Sequence, residues 1–164
     1  MEIERKYLVT ILPENLSQYR FKKIEQGYLC HNPTVRIRKS NEDYILTYKS
    51  KLGLEPISIN GPSVNNEVEL PLTEEAYRTL SHKIDNNMVY KTRYLIPLWD
   101  GLTAELDVFE GLLQGLVIVE VEFPDLAIAD TFQPPAWFGK DLSSDKRFTN
   151  YHLSKLFGLS ELGF

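Results

Sequence analysis

Cysteine is almost absent: the 164 residues contain one, Cys30. An internal disulfide is therefore impossible, and nothing calls for an oxidising compartment. No run of about 18 apolar residues occurs, so no membrane-spanning helix is predicted. The chain starts with charged residues and has no apolar h-region, which predicts a cytoplasmic protein. Histidine is scarce, and His31, His82 and His152 are scattered without zinc-site spacing. Each reads as an ordinary surface or loop histidine. Neither a GxxxxGK loop nor a GxGxxG turn is present, which excludes a P-loop or a Rossmann turn as the basis of any phosphate chemistry. Net positive charge is also missing. The formal value of -5 argues against a surface wholly devoted to nucleic acid or anionic membrane. The length fits one domain over residues 1–164, with a core of useful size.

Strand-like segments dominate what is there. Runs rich in Val, Ile, Tyr and Thr occupy residues 1–9, 22–29, 34–40, 43–51, 65–72, 88–98, 102–110 and 116–123. Turn signals fall between them at 31–33, 40–43, 99–101 and 110–115. Short turns between neighbouring strands imply antiparallel hairpins. Helices are expected over 72–84, with Thr73 as N-cap, and over 147–159, ending near Gly158. Residues 13–19 read as a short third helix, and 53–66 read mostly as loop.

The strands share an unusual pattern. Glu2, Glu4 and Lys6 alternate with Ile3, Arg5 and Tyr7. Arg36 and Arg38 flank Ile37, Glu67 and Glu69 flank Val68, and Lys91 and Arg93 flank Thr92. Glu105 and Asp107 flank Leu106, Glu120 and Glu122 flank Val121, and Lys49 follows Thr47 by two. Residues i and i+2 of a strand share a face. Most strands therefore present like-charged pairs on one face. The opposite face, carrying residues such as Ile3, Val35, Ile37, Val68, Leu70, Leu106, Val108, Val119, Val121 and Phe123, is apolar and must be covered. A solvated sheet face mixes signs and uses Thr, Ser and Gln freely. Like charges repeated across many strands are destabilising unless something compensates them.

Eight antiparallel strands are enough to close a barrel around one small ligand. Closure would set the carboxylates Glu2, Glu4, Glu67, Glu69, Glu105, Asp107, Glu120 and Glu122 against the cations Lys6, Arg36, Arg38, Lys49, Lys91 and Arg93. Oxygen-only donors suit Mg²⁺ or Mn²⁺. Arg and Lys suit phosphate oxygens. Acid and base in one cavity therefore imply a metal–polyphosphate complex. The expected fold is α+β but mainly β: an eight-stranded antiparallel closed barrel, or tunnel, with a few covering helices.

The opening E-x-E-x-K of Glu2, Glu4 and Lys6 resembles the signature of the CYTH superfamily, the triphosphate tunnel metalloenzymes. QGYL (26–29), VRIR (35–38), TYK (47–49), EVE (67–69), KTRY (91–94), AELDVF (104–109) and VEVEF (119–123) follow in the family's order. The stretch 134–153 resembles the family's closing P-x-W-x-G-K segment. The likeness covers nearly the whole chain and is strongest to the short bacterial inorganic triphosphatases. It implies a single CYTH-like domain and metal-dependent hydrolysis of tripolyphosphate to pyrophosphate and phosphate. Adenylyl cyclase, thiamine triphosphatase and nucleoside triphosphatase on the same fold stay open, as does a non-catalytic polyphosphate-binding module.

The resemblance also suggests roles. Lys6, Arg36, Arg38, Lys49, Lys91 and Arg93 would grip phosphate oxygens, with Arg147 adding a contact from a barrel mouth. Glu2, Glu4, Glu105, Asp107, Glu120 and Glu122 would supply metal ligands. Glu4, Glu67 and Glu69 would hold or activate the attacking water. Cys30, Trp99 and Trp137 read as packing or surface residues, while Tyr28 and Tyr48 are candidates to stack an organic group. The partner expected is a small-molecule triphosphate, without nucleic acid or membrane, and the protein is expected to be a monomer or homodimer.

Overall fold

In a computed structural model, residues 1–55 and 60–164 are described. Period-two alternation becomes eight strands: β1 (Glu2–Leu8), β2 (Arg20–Cys30), β3 (Thr34–Ser40), β4 (Asp43–Ser50), β5 (Ser63–Pro71), β6 (Asp85–Pro97), β7 (Thr103–Glu110) and β8 (Val117–Glu122). They close a barrel in the order β1-β5-β4-β3-β2-β6-β7-β8. Every neighbouring pair is antiparallel. Closure is weakest between β1 and β5, which pair only over Glu2–Glu4 and Ser63–Asn65.

The usual arrangement of polarity is inverted. Charged side chains point into the barrel, and the main hydrophobic core lies against its outer wall. Ile3, Tyr7, Leu106, Val119, Val121 and Phe123 are all nearly inaccessible. They pack with Ala129 and Phe138 from the C-terminal half of the chain. Phe132 joins this layer, with its ring 5.1 Å from Phe123 and 5.8 Å from Trp99. Trp137 lies edge-on to Phe138 at 4.5 Å, so the closing segment anchors the outer core. Among the described residues, no helix is long and apolar enough to cross a membrane.

Coverage of the outer wall is uneven. Helix α1 (Glu74–Ser81) packs on β3 and β4, and α2 (Leu126–Thr131) packs on β1. Among the described residues, no helix packs extensively against β5. Val68 and Leu70, expected to be covered, are instead 52% and 54% exposed.

The helices are shorter than their periodicity suggests. Thr73 caps α1 as expected, its hydroxyl accepting from Ala76 N at 3.0 Å. The helix stops at Ser81, and its buried residue is Tyr77, whose ring meets Tyr44. Ile84 lies beyond the helix against Gly27, where a Cβ would collide with its side chain. The helix expected over 147–159 breaks into a 3₁₀ turn at Lys146–Phe148 and one α turn, α3 (Asn150–Leu153). Thr149 is extended and caps α3 through His152 N, which prevents one continuous helix. Residues 13–19 hold only a 3₁₀ turn, Leu16–Gln18. Helix α2 was not anticipated, although Asp125 is a standard N-cap that accepts from Ile128 N. The loop expected over 53–66 gives way to β5 at Ser63, and its residues 56–59 lie outside the described residues.

This broken C-terminal segment fills one end of the barrel. Inward parity continues from the charges to Val89, Phe109 and Ile118, which pack with Leu142, Phe148, Leu153 and Leu156. Tyr28 meets the Tyr151 ring edge-on at 5.5 Å. The segment is stitched to β1 by Leu8 N to Lys140 O (2.8 Å), Gly139 N to Leu8 O (2.7 Å) and Leu142 N to Lys6 O (2.7 Å). A Cβ on Gly139 would run into the carbonyl oxygen of Leu8. Gly139→Ala is therefore expected to cost about 1–3 kcal/mol, readable as a lower Tm in a thermal melt.

Candidate functional site

Register sets the interior. Glu4 lies opposite Glu122, and Lys6 opposite Glu120, across β1 and β8. Glu105 faces Glu120 across β7 and β8, and Arg93 faces Asp107 across β6 and β7. Lys49 and Thr47 face Glu67 and Glu69. Arg36 faces Thr47, and Arg38 faces Gln26. Most of these side chains line a cavity of about 460 Å³. Its carboxylates are Glu2, Glu4, Glu67, Glu69, Glu105, Glu120 and Glu122; its cations are Lys22, Arg36, Arg38, Lys49 and Arg93. Ser40 and Asn150 complete the polar wall, and Met1, Ile24 and Ile45 are the apolar contributors.

Four of the expected site residues do not line this cavity. Lys91 and Asp107 are completely inaccessible and ion-paired at 2.6 Å. Asp107 also accepts from Arg93 Nε at 2.7 Å and Nη2 at 2.9 Å. Asp107, expected as a metal ligand, thus spends both oxygens on internal cations. Lys91, expected on phosphate, is turned to Asp107 with its ammonium 5.4 Å from the Phe109 ring. Lys6 is buried, donating to Phe148 O at 3.0 Å and lying 3.8 Å from Glu120. Arg147 is exposed and bonded to Asp145 at 2.7 Å. Tyr48 faces outward and Tyr28 is buried, so neither lines the cavity.

Two residues to which the sequence reading gave no role belong to the site. Gln26 Oε1 accepts from Arg38 Nε at 2.9 Å and Nη2 at 2.7 Å. Thr47 Oγ1 accepts from Arg36 Nη2 at 3.0 Å. Parity was the available signal: Thr47 stands two before Lys49, and Gln26 is on the inward side of β2.

The acidic side is under electrostatic strain. Burial, the neighbouring Glu67 carboxyl and incomplete relief from Lys49 push Glu2 up to about 7. Burial and the charge of Glu120 push Glu4 up to about 8. Burial, with Glu2 and Glu105 nearby, also raises Glu122. Burial would raise Glu120 too, but Lys6, Arg93, Lys91 and Lys49 hold it well below the usual carboxylate range. Lys49 sits 2.7 Å from Glu2 and 3.7 Å from Glu67. Despite burial, Glu4 and Glu2 raise it above the usual lysine range.

These donors fit a hard divalent cation. All are carboxylate oxygens, the chemistry Mg²⁺ and Mn²⁺ prefer. Glu2 Oε1 and Glu67 Oε2 are buried without a hydrogen-bond partner, as is Arg36 Nε. The 2.7 Å contact of Glu2 with Lys49 is thus an ion pair without hydrogen-bond alignment. Among the described residues, no three acidic groups already converge on one point. Lys49 and Arg93 hold them apart, so ligation requires a shift of side chains within the cavity.

Comparison with known proteins agrees with this geometry. The model of the CYTH domain matches residues 1–152. The chain is 37% identical over 157 residues to an inorganic triphosphatase of Nitrosomonas europaea, covering 93% of this chain and 96% of that one. It is 30% identical over 162 residues to an inorganic triphosphatase of Acetivibrio thermocellus, covering 94% and 93%. The crystal structure of the inorganic triphosphatase NE1496 superposes with a TM-score of 0.68 at 34% identity, over 96% of this chain and 97% of that one. A barrel charged on the inside and matched along nearly its whole length identifies the chain as a member of the CYTH domain family.

Proposed function

We propose that the protein hydrolyses inorganic triphosphate to pyrophosphate and orthophosphate inside the barrel, with Mg²⁺ or Mn²⁺. The family and the two relatives named inorganic triphosphatase support a triphosphatase. One observation carries the choice of an inorganic substrate: among the described residues, no aromatic side chain lines the cavity. Nucleobases and thiazolium rings are ordinarily held by stacking. Nothing here offers such a face, whereas charged groups surround the space.

Arg36, Arg38, Lys49 and Arg93 would bind the phosphate oxygens, the arginines as planar forks. Lys22 would meet the outer end of the chain at the mouth. Glu2, Glu4, Glu120 and Glu122 would hold the metal, which when bound neutralises phosphoryl charge and acidifies bound water. Glu67 and Glu69, with Glu4, would position the attacking water and accept its proton. The water oxygen forms a bond to the terminal phosphorus as the bridging P–O bond breaks, and pyrophosphate leaves. Positioning and electrostatics are what phosphoryl transfer chiefly demands of a protein. Lys6, Lys91 and Asp107 would support this wall from behind. This reading makes the protein a cytoplasmic enzyme, monomeric or homodimeric, acting on a small molecule.

Phosphorus NMR tests the proposal. With Mg²⁺ or Mn²⁺, tripolyphosphate is expected to give pyrophosphate and orthophosphate, and Glu4→Gln is expected to lower the rate about 100-fold or more. Faster turnover of ATP or thiamine triphosphate, or cyclic AMP from ATP, would overturn the inorganic substrate. Tight metal-independent binding without turnover would make the barrel a binding module.

A further inference from the structure

The cations of the barrel are held in two different ways. Lys6, Lys49, Lys91 and Arg93 each lie within 4 Å of a carboxylate. Among the described residues, Arg36 and Arg38 have no carboxylate partner, and their guanidinium groups are fixed by neutral acceptors, Thr47 and Gln26. Gln26 is fully inaccessible, and its single oxygen takes two donors of Arg38. Its amide nitrogen points to the Tyr28 hydroxyl at 3.5 Å. Tyr28 is itself buried at the filled end, so the glutamine cannot easily rotate away.

A neutral acceptor is an uncommon choice here. Burial, together with Arg36 and Arg93, works against the charge of Arg38. A glutamate at position 26 would relieve that, and would hold the same two donors more strongly. It would also cancel the charge offered to a ligand. The glutamine gives up electrostatic relief and keeps the geometry.

We propose that Gln26 is a positioning residue that locks the Arg38 guanidinium while leaving its charge free for the substrate. Among the described residues, Arg38 and Arg36, with Lys22 at the mouth, are the cations lining the cavity that have no carboxylate partner. An anionic phosphate settles there, opposite the carboxylates. The role rests on the triphosphatase reading given above and refines it. It separates two properties that a carboxylate would couple, orientation and neutralisation.

Tripolyphosphate kinetics, tripolyphosphate binding by calorimetry without metal, and thermal melts would be measured on the native protein and its variants. Gln26→Glu is expected to melt no lower than the native protein yet to raise KM and weaken metal-free binding at least about tenfold, with kcat changed far less. Gln26→Met, which loses the fork, is expected to lower kcat as well. In an Arg38→Met background, Gln26→Met should add nothing further, because the residue acts through Arg38. Native KM and binding in a well-folded Gln26→Glu protein would overturn the proposal, as would an equal effect of Gln26→Met in the presence and absence of Arg38. If the native protein fails to turn over tripolyphosphate, the triphosphatase reading falls. The role of Gln26 is then decided by calorimetry, where native-like tripolyphosphate binding by Gln26→Glu, or no binding by the native protein, overturns it.

Discussion

Asp107→Asn is expected to lower the Tm by about 10 °C, or to leave the protein insoluble, and added metal should not restore it. Asp107 bridges Lys91 and Arg93, with contacts of 2.6, 2.7 and 2.9 Å. Both Lys91 and Asp107 are completely inaccessible. Burial would raise Asp107, but the two cations hold it below the usual carboxylate range. Its charge is therefore native and required. Removing one partner of such a cluster leaves an uncompensated buried charge and typically costs 3–5 kcal/mol. At roughly 2–4 °C per kcal/mol for a chain of this size, that is on the order of 10 °C. Asparagine makes matters worse, because its amide would aim donors at donors. Burial already lowers Lys91 to about 8 despite Asp107. Lys91 can therefore shed its proton in the variant, whereas Arg93 cannot. Without Asp107 that loss begins below 8, so the deficit should be largest in acid, shrink as the pH rises toward 8, and level off above it, where native Lys91 sheds its proton too. A metal-ligand role for Asp107 predicts the opposite: a normal melt without metal and lost stabilisation by it. Differential scanning calorimetry with and without Mg²⁺ separates the two.

The same cluster shows what alternation in a sequence can and cannot tell. Period two reveals which residues face inward, and it does so for Lys91 and Asp107 as correctly as for Glu2 and Glu4. All eight strands are found within a few residues of their expected ends for this reason. Depth along the barrel axis is not written in that period. It depends on strand tilt and on what fills each end. Here Phe148, Leu153 and their neighbours come from a segment whose apolar spacing looked like one long helix. Local caps at Asp145 and Thr149 break it, and the pieces seal the level where Lys6, Lys91 and Asp107 sit. Arg147 illustrates the same point, since a shift to a 3₁₀ turn turns it onto Asp145. Gln26 and Thr47 carry no charge, so the charge pattern assigns them no role, although their parity matches. Helix α2 was missed because it has only six residues and little periodicity to read.

Without metal, the protein should lose stability as the pH rises from 5 to 8. Glu4 and Glu2 ionise near 8 and 7 in the fold, against 4.5 in their ordinary state. Between those values the native chain holds more protons than the unfolded one. Stability must then fall with rising pH across that interval. The contribution is fully present below about 4.5 and gone above about 8. Glu120 and Asp107 act oppositely, since both are held low in the fold. Their stabilisation is lost only in acid, below the interval. Lys91, lowered to about 8, adds stability only as the pH climbs beyond that value. The decline from pH 5 to 8 therefore belongs to the strained carboxylates. At about 1.4 kcal/mol for each tenfold change in proton affinity, Glu4 alone accounts for something on the order of 4 kcal/mol, or roughly 10 °C in Tm. A divalent cation replaces the missing protons, so Mg²⁺ or Mn²⁺ should raise the Tm strongly at pH 8 and weakly at pH 5. Glu4→Gln should flatten the pH profile, melt higher than the native protein at pH 8 without metal, and lose most of the response to metal. Thermal melts in EDTA and in excess Mg²⁺ at the two pH values decide the matter. A metal-free Tm that stays level or rises from pH 5 to 8 would mean that Glu2 and Glu4 are not strained. Their crowding on one face of the first strand would then need an explanation other than a cation.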